Sequence, residues 1–187
     1  MLVAIYDANV LYAAPLRDLL MHLALTPLFE ARWTQLIQDE WLRNLLKNRV
    51  DLERTKLERT QRLMNQAVPK ALVQGFEFLM DSLELPDVDD RHVLAAAIHA
   101  KASLIVTNNL NDFPRAILEP FGIVALSPDD FICRLLNLNS TLVISALGLQ
   151  RSTMKHPPLD AVEFLKLLEN QGLKTTVLRL QPFVVLL

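Results

Sequence analysis

One cysteine, Cys133, occurs in 187 residues, so the chain can close no internal disulfide and suits a reducing compartment. Only four glycines are present and none forms a Gly-rich run, which removes a phosphate-cradling nucleotide loop from consideration. No nucleophile elbow of the serine–histidine kind can be found. The four histidines, His22, His92, His99 and His156, lack metal-ligand spacing near an acid and read as surface or packing residues, which argues against zinc. Basic charge is not in excess: 19 Lys and Arg face 21 Asp and Glu for a net −2. No chain-wide field therefore favours nucleic acid, although a local cleft can still be basic. The longest apolar runs fall far short of the ~20 residues that cross a bilayer. No secretory signal opens the chain, because residues 2–6 read as a strand of the fold itself. Neither internal repeats nor low-complexity segments occur. A soluble cytoplasmic protein with no membrane partner is expected.

What is present is apolar material. Half of the chain (51%) is hydrophobic, enough for a substantial core with a surplus that can cover a partner. The length suits one domain with an appendage, or two small ones. Leu2–Tyr6 is a short apolar run ended by Asp7, the pattern of a buried parallel strand with an acid at its C-terminal edge. A helix begins at Asn9, is interrupted by Pro15, and continues through Leu16–Leu25. Arg32–Thr34 is a weak second strand. Gln35–Asn48 is helical, with Leu36, Ile37, Trp41, Leu45 and Leu46 at three- and four-residue spacing, and Glu40 shares a face with Asn44. Residues 51–66 form a helix whose charges alternate in sign, favouring a solvated face over an RNA contact by about four to one.

Asp87 is placed to cap a helix from Val88, with Asp89 and Asp90 in its first turn and Leu94, Ala97 and Ile98 turned inward. Ser103–Val106 and Gly122–Leu126 read as further strands, and Pro128 opens another helix. Beyond about Asn137 the character changes. An apolar helical segment, Leu142–Leu149, is followed by a break at Pro157-Pro158, a helix over Asp160–Asn170 ended by Gly172, and the apolar tail Phe183–Leu187. About fifty residues do not sustain a core alone, so this part packs on the main domain or on a second chain.

Each acid, taken alone, has a plain structural account. Asp87, Asp89 and Asp90 suit a helix start by about two to one, Asp112 before Phe113-Pro114 suits a turn, and Asp7 can cap the helix near Asn9. Together they point elsewhere. Strands ending at Asp7 and at Thr107-Asn108 bring their ends to one side of an open sheet, and a neighbouring helix can bring Asp90 to the same edge. Carboxylates so gathered either shift their pKa values or take up a cation. An oxygen-only donor set selects Mg²⁺ or Mn²⁺.

Four segments in order carry a family resemblance: Ile5-Tyr6-Asp7-Ala8-Asn9; Asp39-Glu40-Trp41 with Asn44-Leu45; Leu85-Pro86-Asp87 through Asp90 and the helix to Ala97; and Val106-Thr107-Asn108-Asn109 through Asp112-Phe113-Pro114. Over about residues 1–135 the chain resembles the PIN-domain ribonucleases, in particular VapC-type toxins of bacterial toxin–antitoxin pairs, and the remainder looks like the C-terminal extension of one subgroup. The resemblance implies a three-layer α/β/α domain with a short central parallel sheet over 1–135, and a mainly helical extension over 136–187. It implies catalytic, metal-binding acids at Asp7, Glu40, Asp90 and Asp112, with polar support from Asn9, Thr107 and Asn108. The activity implied is Mg²⁺- or Mn²⁺-dependent hydrolysis of single-stranded RNA. Partners implied are the RNA, a cognate antitoxin and a second copy of the chain. Arg43 and Arg91 are the basic residues expected to grip substrate, with Lys47, Arg49 and Arg115 behind them. As general surface charges, each is solvated by about two to one. The alternatives are a PIN-like nuclease of RNA processing, a nuclease acting on DNA, and a non-catalytic RNA- or antitoxin-binding module.

Overall fold

The structure is a computed structural model that describes residues 2–155 and 157–187, so His156 lies outside the described residues. It parts into two compact units, Met1–Tyr12 with Phe29–Ser127, and Ala13–Leu28 with Pro128–Leu187.

The first unit is built on four short strands: β1 (Val3–Tyr6), β2 (Glu30–Arg32), β3 (Leu104–Val106) and β4 (Val124–Leu126). All pair in parallel, in the order β2-β1-β3-β4. Ala4, Ile5 and Tyr6 are wholly buried, as expected of a central strand covered on both faces. The second strand starts two residues before the expected Arg32–Thr34. Trp33 has left the ladder: its N–H donates to Ala71 O, and its carbonyl accepts from Val73 N. Its ring stacks on Tyr6 with centroids 6.2 Å apart.

Helix α1 (Ala8–Tyr12) stops early, and α2 (Ala14–Ala24) restarts with Pro15 in its first turn, where a missing N–H costs nothing. Helix α3 (Gln35–Asn48) is capped by the Thr34 hydroxyl, which accepts from Ile37 N at 3.1 Å. It buries Ile37, Trp41, Leu42 and Leu45, while Leu36 faces solvent. The charged helix α4 (Arg54–Ala67) turns Leu57 and Met64 inward and leaves Leu63 exposed. Between these helices the wholly buried Gln38 is satisfied: its Oε1 accepts from Trp41 Nε1 at 2.7 Å, and its carbonyl accepts from Gln61 Nε2 at 2.6 Å.

Helix α5 (Arg91–His99) begins three residues later than Val88. The preceding acids occupy a 3-10 turn, Val88–Asp90, stabilised by the Asp87 carboxylate accepting from Asp89 N at 2.9 Å. Val93–Ala97 of α5 are wholly buried, and three alanines let the helix lie close to β1 and β3. Burial of Leu94 alone is worth roughly 2 kcal/mol. Lys101 ends the helix at φ 51°, the left-handed region. After β3 come a 3-10 turn, Leu110–Asp112, and the short α6 (Arg115–Leu118).

In the second unit α7 (Pro128–Thr153) has length and composition sufficient to cross a membrane, which the short apolar runs of the sequence did not suggest. Polar residues such as Arg134 and Asn137 interrupt those runs without lowering the average enough to matter. The helix is broken at Asn139 (φ −161°, ψ 96°), whose Oδ1 accepts from Leu142 N at 3.0 Å and so caps the second half. Neither half reaches spanning length. Helix α8 (Ala161–Asn170) carries a capping box between Asp160 and Glu163. It buries Phe164, Leu165 and Leu168 but exposes Val162. Helix α9 (Lys174–Leu180) is capped from α7, where the Asp129 carboxylate accepts from Thr175 N and Thr176 N at 2.8 and 2.7 Å. Burial raises the Asp129 pKa, but these N–H bonds outweigh it and hold the carboxyl below its ordinary value. Gln150 Nε2 donates to Pro15 O, tying α2 to α7, and Arg151 Nε donates to Leu187 O, anchoring the tail.

Candidate metal and nucleic-acid site

In an open parallel sheet of order β2-β1-β3-β4, the chain leaves β1 toward one side and β3 toward the other. The crevice between those two strand ends is where such folds accept ligands. Asp7 directly follows β1 and Thr107 directly follows β3. The two are joined there: Thr107 Oγ1 donates to Asp7 Oδ2 at 2.7 Å, and Ala8 N donates to Oδ1 at 2.6 Å. Asn9 Nδ2 donates to Asp7 Oδ2 and to Thr107 Oγ1, at 2.5 and 2.9 Å, and Asn9 Oδ1 accepts from Asn108 N at 2.9 Å. Asn9 and Thr107 thus lock the carboxylate into one orientation, and Asn108 takes part through its backbone.

Glu40 reaches the same crevice from α3 and Asp90 from the turn before α5. The crevice has a volume of about 380 Å³ and is completed by Tyr12, Asn44, Asn48 and Asn109 beside Ala8 and Asn9. A larger apolar cavity of about 540 Å³ lies along β4 and contains none of these acids. Chemistry, not size, therefore selects the site.

Burial raises the Asp7 carboxyl above its ordinary value; the Thr107 and Ala8 bonds oppose this, Glu40 adds to it and His92 opposes it. Asp90 is pushed up to about 7, first by burial and then by Asp7, Asp87, Asp112 and Glu40 in that order. Its Oδ2 is buried without a hydrogen-bond partner. An orphaned carboxylate oxygen repelled by four acids is a position where a cation would relieve both defects. The donor set is oxygen-rich, as Mg²⁺ or Mn²⁺ requires. Among the described residues, however, no three Asp, Glu, His or Cys side chains stand close enough to chelate one ion directly. The residues fit a hard cation held partly through water, and not a closed protein cage.

Of the expected site residues, Asp7, Asn9, Glu40 and Asp90 line the crevice. Asp112 does not line it, although its charge is felt at Asp90. Arg43 is exposed on α3, and Arg91 is half-buried at the start of α5 with its Nε lacking a partner. Neither lines the crevice. Arg49 and Arg115 are engaged at the surface by Asp51 and Glu119. Tyr12, Asn48, Asn109 and His92 were not legible as site residues. His92 is buried on α5 with Nε2 3.3 Å from Glu40 Oε2, whereas His22 Nδ1 meets Asp18 one turn away on its own helix and His99 packs on Phe78. The spacing of Asn48 from Glu40, eight residues on one helix, was the available signal for that residue.

A profile described as the PIN domain matches residues 3–111, and one described as the VapC50 C-terminal domain matches residues 128–182. A protein of Mycobacterium tuberculosis (strain ATCC 25618 / H37Rv) named "Putative ribonuclease VapC50" is 55% identical over 75 residues, covering 38% of this chain and 44% of that protein. The chain thus spans less than half the length of the curated relative it matches. No solved structure gives a significant match. A parallel sheet with carboxylates at its switch point, matched by the PIN profile over more than half of the sequence, settles the family: the chain belongs to the PIN-domain family and carries a VapC50-type C-terminal domain after it.

Proposed function

We propose that the chain is a metal-dependent endoribonuclease that hydrolyses phosphodiester bonds of single-stranded RNA, acting in the cytoplasm as the toxin of a toxin–antitoxin pair. The observation that carries this reading is the meeting of Asp7, Glu40 and Asp90 in one crevice at the end of the parallel sheet. The name of the mycobacterial relative points the same way. In this reading Asp7, Glu40, Asp90 and Asp112 hold Mg²⁺ or Mn²⁺, directly or through water. When bound, such an ion would lower the pKa of a water and offset charge on the phosphate.

The side chains have separable tasks. Asp7, fixed by Thr107, Asn9 and the Ala8 N–H, is a rigid anchor. Asp90 would give up its proton on taking up a cation, since burial and the neighbouring acids raise its pKa to about 7. Glu40, partly exposed and 3.3 Å from His92, orients the attacking water. Arg43 and Arg91, flanking the crevice in sequence, contribute the basic charge that draws the RNA backbone. A cognate antitoxin covers apolar surface and blocks the site, and a second copy of the chain completes the assembly.

A second reading, a non-catalytic RNA- or antitoxin-binding module, draws on one observation: no three of the described acids form a direct chelate. Induced expression in a bacterial host separates the two. The nuclease reading expects growth arrest and new 5′-phosphate RNA ends from the wild type, with both lost in Asp7→Asn. Arrest that persists undiminished in Asp7→Asn, without new RNA ends, contradicts it.

A further inference from the structure

The crevice is lined by four asparagines and a tyrosine but by no lysine or arginine. Its polar wall therefore offers nothing ionic to a phosphate; it offers hydrogen-bond donors and acceptors in pairs. Those amides are not equivalent. Asn9 is spent on Asp7, Thr107 and Asn108. Asn48 Nδ2 donates to the Tyr12 hydroxyl at 3.3 Å. Asn44 and Asn109 both have carboxamides that make no hydrogen bond to any other described residue, but Asn109 is exposed, whereas Asn44 is half-buried in the crevice wall.

Helix geometry explains how it comes to be there. Glu40, Asn44 and Asn48 follow one another at four-residue steps on α3 and so form one stripe facing the crevice. Asn44 stands one turn, about 6 Å of helix rise, beyond the carboxylate assigned to the reaction, in the same crevice. An unspent carboxamide presents a donor and an acceptor side by side, which matches the N6 and N7 edge of adenine. Single-stranded RNA exposes such edges because its bases are unstacked. Tyr12, with its hydroxyl held by Asn48, supplies an aromatic surface in the same wall.

We infer that Asn44 hydrogen-bonds the base of the nucleotide adjoining the scissile phosphodiester, with Tyr12 and Asn48 as the side wall of that subsite, so that cleavage favours adenine at one position. This rests on the nuclease reading for the reaction, but the subsite can be tested apart from it.

Two measurements do so on the full-length chain. In the first, a randomised single-stranded RNA pool is cut with Mg²⁺ or Mn²⁺ present, and the ends are sequenced for wild type and Asn44→Ala, a change that suits a helix interior. The expected result is an adenine preference at one position beside the cut in the wild type, flattened in the variant, with KM raised about tenfold for one lost bidentate pair. An unchanged cleavage profile and KM in Asn44→Ala overturn the inference. In the second, the four nucleoside monophosphates are titrated with Mg²⁺ into wild-type protein while the Asn44 side-chain amide is followed by NMR. A shift of that signal, largest with the adenine nucleotide, supports the subsite even if no RNA is cut, and then only the nuclease reading fails. No shift with any of the four, while cutting proceeds, overturns the subsite and leaves the nuclease standing.

Discussion

In the metal-free protein, Asp90→Asn should gain stability relative to wild type as pH rises toward neutral. Asp90 is pushed from 3.8 to about 7 by burial and by Asp7, Asp87, Asp112 and Glu40. The folded state therefore holds a proton that the unfolded chain has released across that window, and stability falls as pH rises from about 4 to about 7. Converted in full, the displacement would amount to about 4 kcal/mol. Asp90 is only half-buried, so solvent screening reduces this to about 1–2 kcal/mol. For a chain of this length that is a melting-temperature difference of roughly 3–6 °C. The assay is thermal unfolding of wild type and Asp90→Asn in EDTA from pH 4 to pH 8. The gap should be smallest at pH 4, widen through the interval, and level off above pH 7. Because only the change with pH is interpreted, any fixed cost of the buried amide cancels. A gap that stays flat, or that moves in the opposite sense, would show that the acids around Asp90 do not repel it as described.

Other substitutions perturb neighbouring contacts. Thr107→Val removes the hydroxyl that donates to Asp7 Oδ2, and should cost about 2 kcal/mol and weaken divalent-ion binding, read by denaturant unfolding and calorimetry. Asp129→Ala removes the cap of α9 and should cost about 1 kcal/mol. Because the Asp129 pKa is depressed, that advantage is present above 3.8 and is lost as pH falls below it, so wild type and variant should converge in acid melts. Lys101→Gly relieves a side chain at φ 51° and should stabilise by about 1 kcal/mol, measured as a raised urea midpoint.

The sheet was legible, and so was the meeting of Asp7, Glu40 and Asp90 at its edge, though not the place of Asp112 outside the crevice. Leu2–Tyr6 is apolar up to Asp7, and an acid closing a parallel strand lies at the edge where ligands bind. Glu40 and Asn44 share a face by spacing alone. What escaped was set by interactions between residues far apart in sequence. Helix α5 begins at Arg91 because the Asp87 carboxylate, accepting from Asp89 N, holds Val88–Asp90 in a 3-10 turn, a local alternative that a run of aspartates permits but does not announce. Helix α9 contains Thr175 and Thr176, weak helix formers, and is capped by Asp129 from 46 residues upstream. Tyr12 and Asn109 enter the crevice only because α1 ends before Pro15 and because the turn after β3 folds back on Thr107. His92 looked like a packing residue, and it is buried as one; its place beside Glu40 depends on how α5 packs across from α3.

The central claim is that these acids serve metal-dependent cleavage of RNA. Its most direct test is incubation of a labelled single-stranded RNA pool with purified protein in Mg²⁺, Mn²⁺ or EDTA, comparing wild type with Asp7→Asn. The expected result is cutting by the wild type with either ion, none in EDTA, and none by the variant under any condition. Cutting that survives EDTA, or that Asp7→Asn performs as well as the wild type, would contradict it.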